Sequence, residues 1–353
     1  MTAGLRTGRT TGACAAAAAK AAAMVLRGQP APSHVDIPLP DGRTLTVPVR
    51  FARLADGGGK ALAAVRKDAG DDPDVTHGLD VVVTVWPAEG AVTEFRAGEG
   101  VGTVTKPGLQ IPPGQPAINP GPRRMIAAAL GQVTDAPLCV EVAIPGGREI
   151  AAHTFNPRLG VVGGLSVLGT TGIVRPYCTK ALRESLKCAL AVAAACGVRH
   201  LVLTPGHIGT RGARARFGLA DEQVIEVGNE WDFITRALGE YSFQAVLIAG
   251  HPGKLAKLAA GDWDTHSARS AGAVAFVRAL AGRAGCPAPE AQTTEGLFEA
   301  LAAAPRRRLA DELAGLVRQA VADKIARRAP VAVLLVDMAG GPLGGDGDFS
   351  PWK

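Results

Sequence analysis

Aromatic side chains are scarce in this 353-residue chain, at 4%. So few rings leave little to stack on exposed nucleobases. Charge of one sign is also thin. Lys and Arg number 38 against 32 Asp and Glu, a formal net charge of +6. The excess has no single home. Residues 1–150 hold 15 basic and 14 acidic side chains, 151–300 hold 15 and 12, and 301–353 hold 8 and 6. No basic tail or arm exists to grip DNA or an anionic membrane, so nucleic-acid and membrane partners are not expected. No uncharged apolar run reaches 18 residues, the length of a spanning helix. The six cysteines (14, 139, 178, 188, 196, 286) form no C-x-x-C pair and lie at no metal-ligand spacing. That reads as a reducing, cytoplasmic setting without a protein-bound metal. Cys188 and Cys196 sit in an Ala-rich stretch and read as small core residues. Arg6 and Arg9 precede an Ala run, but Lys20 interrupts it and Ala is weakly hydrophobic, so a signal peptide is not expected.

What is abundant is glycine (45), proline (25) and apolar residues (47%). Charged residues are 20%. Such a composition buries a core and excludes overall disorder. The length favours two domains.

The first helix signal is Thr10-Thr11-Gly12 before ACAAAAAKAAAMVL. Thr is a good N-cap, Ala the strongest helix former, and Gly28 with Pro30 closes the segment. HVDIPLP and RTLTVPVRFARL around Asp41-Gly42 read as a hairpin. AALAAVRKDAG reads as a short helix or a strand, and LDVVVTVWP and PLCVEVAIPGG as strands. Between them lies the Gly/Pro-rich FRAGEGVGTVTKPGLQIPPGQPAINPGPRRM, with a helix from about residue 122 to 130. After residue 160 the pattern alternates. Helix 176–197 precedes RHLVLTPGHIG, QVIEVG, NEWDFITRALGEY, SFQAVLIAGHPGKLAKLAAG, THSARSAGAVAFVRALAGRAG, two helices at about 290–302 and 306–328, and the strand APVAVLLVDMAG. Strands and helices in alternation mean a parallel sheet with helices on its faces. The expected fold is an α+β N-terminal domain, 1–158, followed by an α/β, Rossmann-like C-terminal domain, 159–353, with a mostly parallel sheet. No regular repeat occurs, but T-T-G appears at 10–12 and again at 170–172.

LVLTPGHIGTRG and VLIAGHPGKLAK each leave a strand through glycine. In an open α/β sheet, ligands bind outside the carboxyl ends of the strands, where helix N-termini offer amides. Neither is G-x-G-x-x-G or a Walker loop. Glu226 ends the next strand, where an acidic residue can hold a ribose diol. Ordinary turns and a nucleoside site both fit these features. KDAGDDPDVTHG gathers Asp68, Asp71, Asp72, Asp74 and His77, which can bind a divalent ion, serve as an acid/base set, or form a solvated turn. Lys106, Arg123 and Arg124 punctuate GEGVGTVTKPGL and NPGPRR. Arg158 and Arg175 do the same in TFNPRLGVVGGLSVLGTTGIVRP. Runs this rich in Gly and Pro imply close backbone approach to something large, flat or anionic, or else long surface loops. His251 and His266 read equally as structural or functional residues.

GRTTGACAAAAAKAA, KDAGDDPDVTHG, GEGVGTVTKPGL, PAINPGPRRMI, IPGGREIAAHTFNPRLGVVGGLSVLGTTGIVRP, LTPGHIG and AGHPGKLAKLAAGDWDTHS together resemble the CbiD family. The resemblance runs in order from about residue 5 to 270; past 285 it is only of general helical character. EVGNEWDFI departs from the family's Ser-Asn-containing segment, at 227–229. The resemblance implies C1 methylation of a cobalt-bearing corrin precursor in anaerobic cobalamin synthesis, with S-adenosylmethionine as donor. It implies a donor site at Thr204, Pro205, Gly206, Gly209, Glu226, Gly250, His251 and Gly253. It implies a wall for the macrocycle's carboxylate arms at Arg9, Thr10, Thr11, Gly12, Lys106, Arg123, Asn156, Arg158, Thr170, Thr171 and Arg175. Asp72 and His77 are its candidates for a base. The cobalt comes inside the substrate. Other corrin-pathway enzymes and a second copy of the chain are the partners to expect. Two alternatives stay open: a small-molecule kinase using the first T-T-G and the GEGVGTVTKPG loop around phosphates, and a corrinoid carrier without catalysis.

Overall fold

The computed structural model describes residues 4–266, 272–287 and 290–353. It is a mixed α/β fold with several sheets. The chain divides into two compact units, one ending at Lys180 and the other running Ala181–Lys353. The break lies about twenty residues later than 158, because the intervening segment is laced into the first unit. There β10 (Val161–Val162) pairs with β8 (Thr103–Val104), and β11 (Ile173–Val174) with β1 (Gly8–Arg9).

The first unit is built around α1 (Thr11–Leu26). Thr10 caps it, its hydroxyl accepting from the Ala13 amide at 3.1 Å. Nearly every residue of α1 is buried, so it has no wet face. Alanine makes this possible, since backbones can close to short range on all sides. Neighbours are α2 (Pro120–Leu130), the hairpin β2 (His34–Pro38) and β3 (Thr44–Pro48), and a five-stranded sheet. That sheet has the order β4 (Phe51–Ala55), β5 (Lys60–Arg66), β6 (Asp80–Pro87), β9 (Leu138–Ala143), β7 (Glu94–Ala97). All its pairs are antiparallel except β7 with β9. In β6, Val81, Val83 and Val85 are buried and alternate with half-buried neighbours, the period-two signature of one face on a core. FARL is thus a strand of this sheet and not an extension of the hairpin. Lys20, the one charge in the Ala run, donates to the Asp36 carbonyl and to Gln132, each at 2.6 Å.

Some glycines of the first unit serve internal contact. A Cβ on Gly100 would lie 1.9 Å from the Ile144 carbonyl oxygen, and one on Gly164 2.3 Å from the Gly100 oxygen. Strand β9, the start of α3 (Gly147–Ala151) and residues 98–102 and 161–165 interlock backbone to backbone. The GEGVG start of the loop GEGVGTVTKPGL is therefore a packed seam.

The second unit has a five-stranded sheet in the order β13 (Val224–Glu226), β12 (His200–Thr204), β14 (Ala245–Gly250), β15 (Val331–Val336), β16 (Pro342–Asp346). The first four strands are parallel and β16 is antiparallel, an edge strand absent from the sequence expectation. Both faces are covered. Helices α4 (Thr179–Ala195), α6 (Trp231–Ala237), α7 (Pro252–Ala259), α8 (Ala273–Arg283), α9 (Thr294–Glu299) and α10 (Ala303–Lys324) supply one core; α5 (His207–Arg216) with Phe217 and Trp352 supplies the other. Burial on both faces explains why AVLIAG and VAVLLV are continuous apolar runs. Cys188 and Cys196 on α4 and just beyond it are half-buried, short of the core position their neighbours implied. Of the expected helix THSARSAGAVAFVRALAGRAG, 267–271 fall outside the described residues.

Candidate active site

In the second unit the chain passes from β12 to β13 on one side and then to β14 on the other. The order reverses between β12 and β14, and both strands end there in glycine loops, where open sheets take ligands. The two loops touch. A Cβ on Gly250 would lie 2.7 Å from Pro205 Cδ, and one on Gly209 2.3 Å from the Ala249 oxygen. Thr204, fully buried, shares a 2.9 Å hydrogen bond with Thr210, whose hydroxyl donates to Glu226 Oε1 at 2.9 Å. One carboxylate oxygen at the end of β13 is thereby fixed in place. No side chain caps α5. By contrast His251 caps α7, its Nδ1 accepting from the Gly253 amide at 3.1 Å. That bond puts the neutral ring's proton on Nε2. Burial holds the His251 pKa below its usual value, against the opposing pull of Glu295 and Asp337.

Sequence reasoning missed a buried polar knot beside these loops. Asn229 Oδ1 accepts from Lys254 Nζ at 2.9 Å and from Thr265 Oγ1 at 3.0 Å. The Thr265 carbonyl takes both Lys254 and Lys257, at 3.2 and 3.3 Å. Burial, then the nearby Lys257 charge, lowers the Lys254 pKa. The signal was present as the departure at 227–229 and as Lys254 and Lys257 spaced about one turn apart on α7.

In the first unit the two T-T-G turns meet. The Thr11 hydroxyl both donates to the Leu168 carbonyl (3.2 Å) and accepts from the Leu168 amide (3.0 Å). Thr10 N bonds Gly172 O and Gly12 N bonds Leu168 O. A Cβ on Gly169 would strike the Thr10 side chain at 2.4 Å. Thr10, Thr11 and Gly12 are buried, whereas Thr170, Thr171 and Arg175 are exposed. The first turn is thus a clamp, and only the second presents side chains to solvent.

KDAGDDPDVTHG also turns inward. Arg6 binds Asp68 at 2.6 Å, the Arg6 amide donates to Asp71, and the Tyr177 amide donates to Asp72 at 2.9 Å. His77 Nδ1 accepts from the Ala69 amide at 3.1 Å. Buried Lys67 pairs with Asp74 at 2.9 Å. Burial would raise the Asp74 pKa, but Thr76 and Lys67 outweigh it and hold it low. The Arg6 guanidinium, with the Gly70 amide, lowers the Asp68 pKa to about 2. Among the described residues no group of three or more His, Cys, Asp or Glu is placed to hold a metal. Asp72 and His77 therefore share one loop, each holding a backbone amide.

The remaining candidates vary in availability. Arg123 lies on the Phe95 ring and donates to the Ile118 and Pro116 carbonyls, with burial lowering its pKa. Asn156 accepts from Ser166 at 2.9 Å. The Lys106 stem lies across Gly160. Arg9 is mostly buried, 4.0 Å from Asp68, and among the described residues its Nε has no hydrogen-bond partner.

A sequence profile described as CbiD matches residues 1–176, and one described as CbiD, C-terminal domain, matches 264–347. A protein of Syntrophotalea carbinolica named cobalt-precorrin-5B C(1)-methyltransferase is 53% identical over 353 residues, covering 99% of this chain and 100% of the relative. This chain belongs to the CbiD family. Proteins of the same name from Paramagnetospirillum magneticum (41% identical; 96% of this chain, 98% of the relative) and Brucella anthropi (45%; 83% and 80%) agree. A crystal structure titled cobalamin biosynthesis protein (cbiD) from Archaeoglobus fulgidus is 29% identical, with a TM-score of 0.41, covering 75% of this chain and 83% of its own. The CbiD match extends well past residue 285, so the tail carries more than general helical character.

Within a CbiD chain, exposed apolar residues acquire interest. Phe155, Val162 and Leu168 are 44%, 57% and 51% exposed on the segment that also bears Arg158, Thr170, Thr171 and Arg175. Sequence reasoning named the polar residues of this segment and did not single out the exposed apolar ones, because exposure cannot be told from a residue's type.

Proposed function

We propose that this chain transfers a methyl group from S-adenosylmethionine to C1 of cobalt-precorrin-5B. The observation that carries the reading is full-length identity of 53% to a relative bearing that activity in its name. The second unit, read as a doubly wound, Rossmann-like fold, supplies the donor site. Glu226, steadied by Thr210, accepts from the ribose hydroxyls, and the uncapped start of α5 lies beside it. The glycine loops at 204–209 and 250–253 admit backbone to close range. The first unit binds the macrocycle, with Arg158, Arg175, Lys106, Thr170 and Thr171 toward its carboxylates and Phe155, Val162 and Leu168 toward its apolar face.

The donor sulfonium supplies an activated methyl; its C–S bond breaks with the electron pair going to sulfur as the new C–C bond forms. The residues contribute orientation and exclusion of water more than proton transfer. Asp72 and His77 act in this reading by holding the loop at 68–77 in place. No protein-bound metal is required.

The test is incubation of the purified chain with methyl-labelled S-adenosylmethionine and the cobalt-bearing precursor. A corrinoid product heavier by one labelled methyl, with S-adenosylhomocysteine in equal amount, is expected. Corrinoid binding without mass change would leave a carrier and overturn the reading.

A further inference from the structure

We propose that the second unit carries a separate binding site for a small amphipathic organic anion, at the amino-terminal end of its parallel sheet. A cleft of about 420 Å³ opens there, where β14 begins and just before β15. The glycine loops lie at the other end of the same strands, roughly 17–20 Å away at about 3.3 Å per strand residue. The cleft is therefore no part of the donor site.

Its floor is apolar. Leu238, Phe243, Val246 and Ile325 line it and all belong to the buried core. Its rim is polar, with Tyr241, Ser242, Gln244 and Arg328. Among the described residues, none of these four side chains has a hydrogen-bond or ion-pair partner in the protein. The position of Arg328 is built into the backbone. Its guanidinium lies over Gly239, where a Cβ would fall 1.9 Å from Nη1. Ala326 and Arg327 precede it with φ of 52° and 53°, a left-handed conformation that side-chain-bearing residues seldom adopt. Arg327 is drawn back to Asp323 at 3.0 Å, which leaves Arg328 to the cleft.

The chemistry follows. A guanidinium without a counter-ion recognises a carboxylate or phosphate through paired N–H groups. Ser242, Gln244 and the Tyr241 hydroxyl add hydrogen bonds. Burial, then the Glu240 charge, raises the Tyr241 pKa, so the phenol stays a donor. An apolar floor under a few convergent polar groups, in this volume range, is the make-up of a small-molecule site. The ligand class is a compact ring or chain bearing one anionic group.

Saturation-transfer NMR on the full chain tests this, with phenyl phosphate, phenylacetate and neutral 2-phenylethanol as probes. At least one anion should bind, and which one separates a phosphate ester from a carboxylic acid. Binding should weaken at least tenfold in Arg328→Ala, and several-fold in Gly239→Ala, whose methyl displaces the guanidinium. The neutral probe should respond equally in all three proteins, and both variants should melt as the parent does. S-adenosylhomocysteine should leave the anion signal unchanged. No anion signal on the parent protein, equal affinity in Arg328→Ala, or displacement by S-adenosylhomocysteine would overturn the proposal.

Discussion

The two units start helices from similar sequence and use them in opposite ways. In the first, T-T-G leads into α1, and the 168–172 segment brings its own backbone groups to that end. The amides of Thr10, Gly12, Ala13 and Cys14 are all bonded within the chain. In the second, P-G leads into α5, where no side chain caps the helix and a fixed carboxylate, Glu226, stands close to Thr210 of its second turn. Gly12, the second residue of α1, is pressed against Pro122 and Met125, whereas Gly206, just before α5, has open space around it. The difference lies in which distant segment returns to the start of the helix: residues 168–172 return to α1.

Four measurements test this contrast. The largest effect is expected from Gly209→Ala. Its methyl would sit 2.3 Å from a backbone oxygen that cannot rotate away. A loss of about 3 kcal/mol in urea unfolding is expected; a change under 1 kcal/mol would show that the two loops are not in tight contact. Next is Thr11→Val. It removes a hydroxyl that serves both the amide and the carbonyl of Leu168, at a cost of about 2 kcal/mol. S-adenosylhomocysteine affinity by calorimetry should not move. If it falls tenfold instead, the clamp is no mere clamp.

Glu226→Gln should do the reverse. It should weaken S-adenosylhomocysteine roughly tenfold, about 1.4 kcal/mol, and leave the unfolding midpoint near the parent's. Unchanged affinity would remove Glu226 from the donor site. The smallest effect is expected from Asp68→Asn. With its pKa lowered to about 2 from 3.8, folded Asp68 binds fewer protons than unfolded Asp68 between those values. Stability from this group is complete above about pH 4 and lost as pH falls through about 2. Thermal melts of parent and variant should therefore differ at pH 6 and converge near pH 2; a gap that persists at pH 2 would contradict the Arg6 pairing.

Much of the second unit was legible because its logic is local. Apolar runs such as VAVLLV, ended by glycine and followed by helical spacing, declare buried parallel strands, and the loops at 204–209 and 250–253 follow from them. The short edge strand β16, PLGGD, carries no such pattern and escaped notice. The first unit was harder. Its glycines looked like ligand contacts, whereas Gly100 and Gly164 answer to backbone 44 and 64 residues away in sequence. Arg123, expected to face an anion, is also held by two carbonyls and a ring. Such pairings are tertiary, and no window along the chain contains both partners.

A helix without a wet face has a mechanical consequence. Apart from Lys20 and Met24, α1 meets solvent only near its ends. At one end stands the 168–172 turn with exposed Thr170 and Thr171; at the other are exposed Arg27 and Gly28. A displacement of that turn has a direct route into the core of the first unit, along sixteen residues of close-packed helix. Alanine on every side leaves no slack to absorb it. The segment that looks plainest in composition thus joins a surface turn to the interior through buried residues alone for its first nine positions, Thr11 to Ala19.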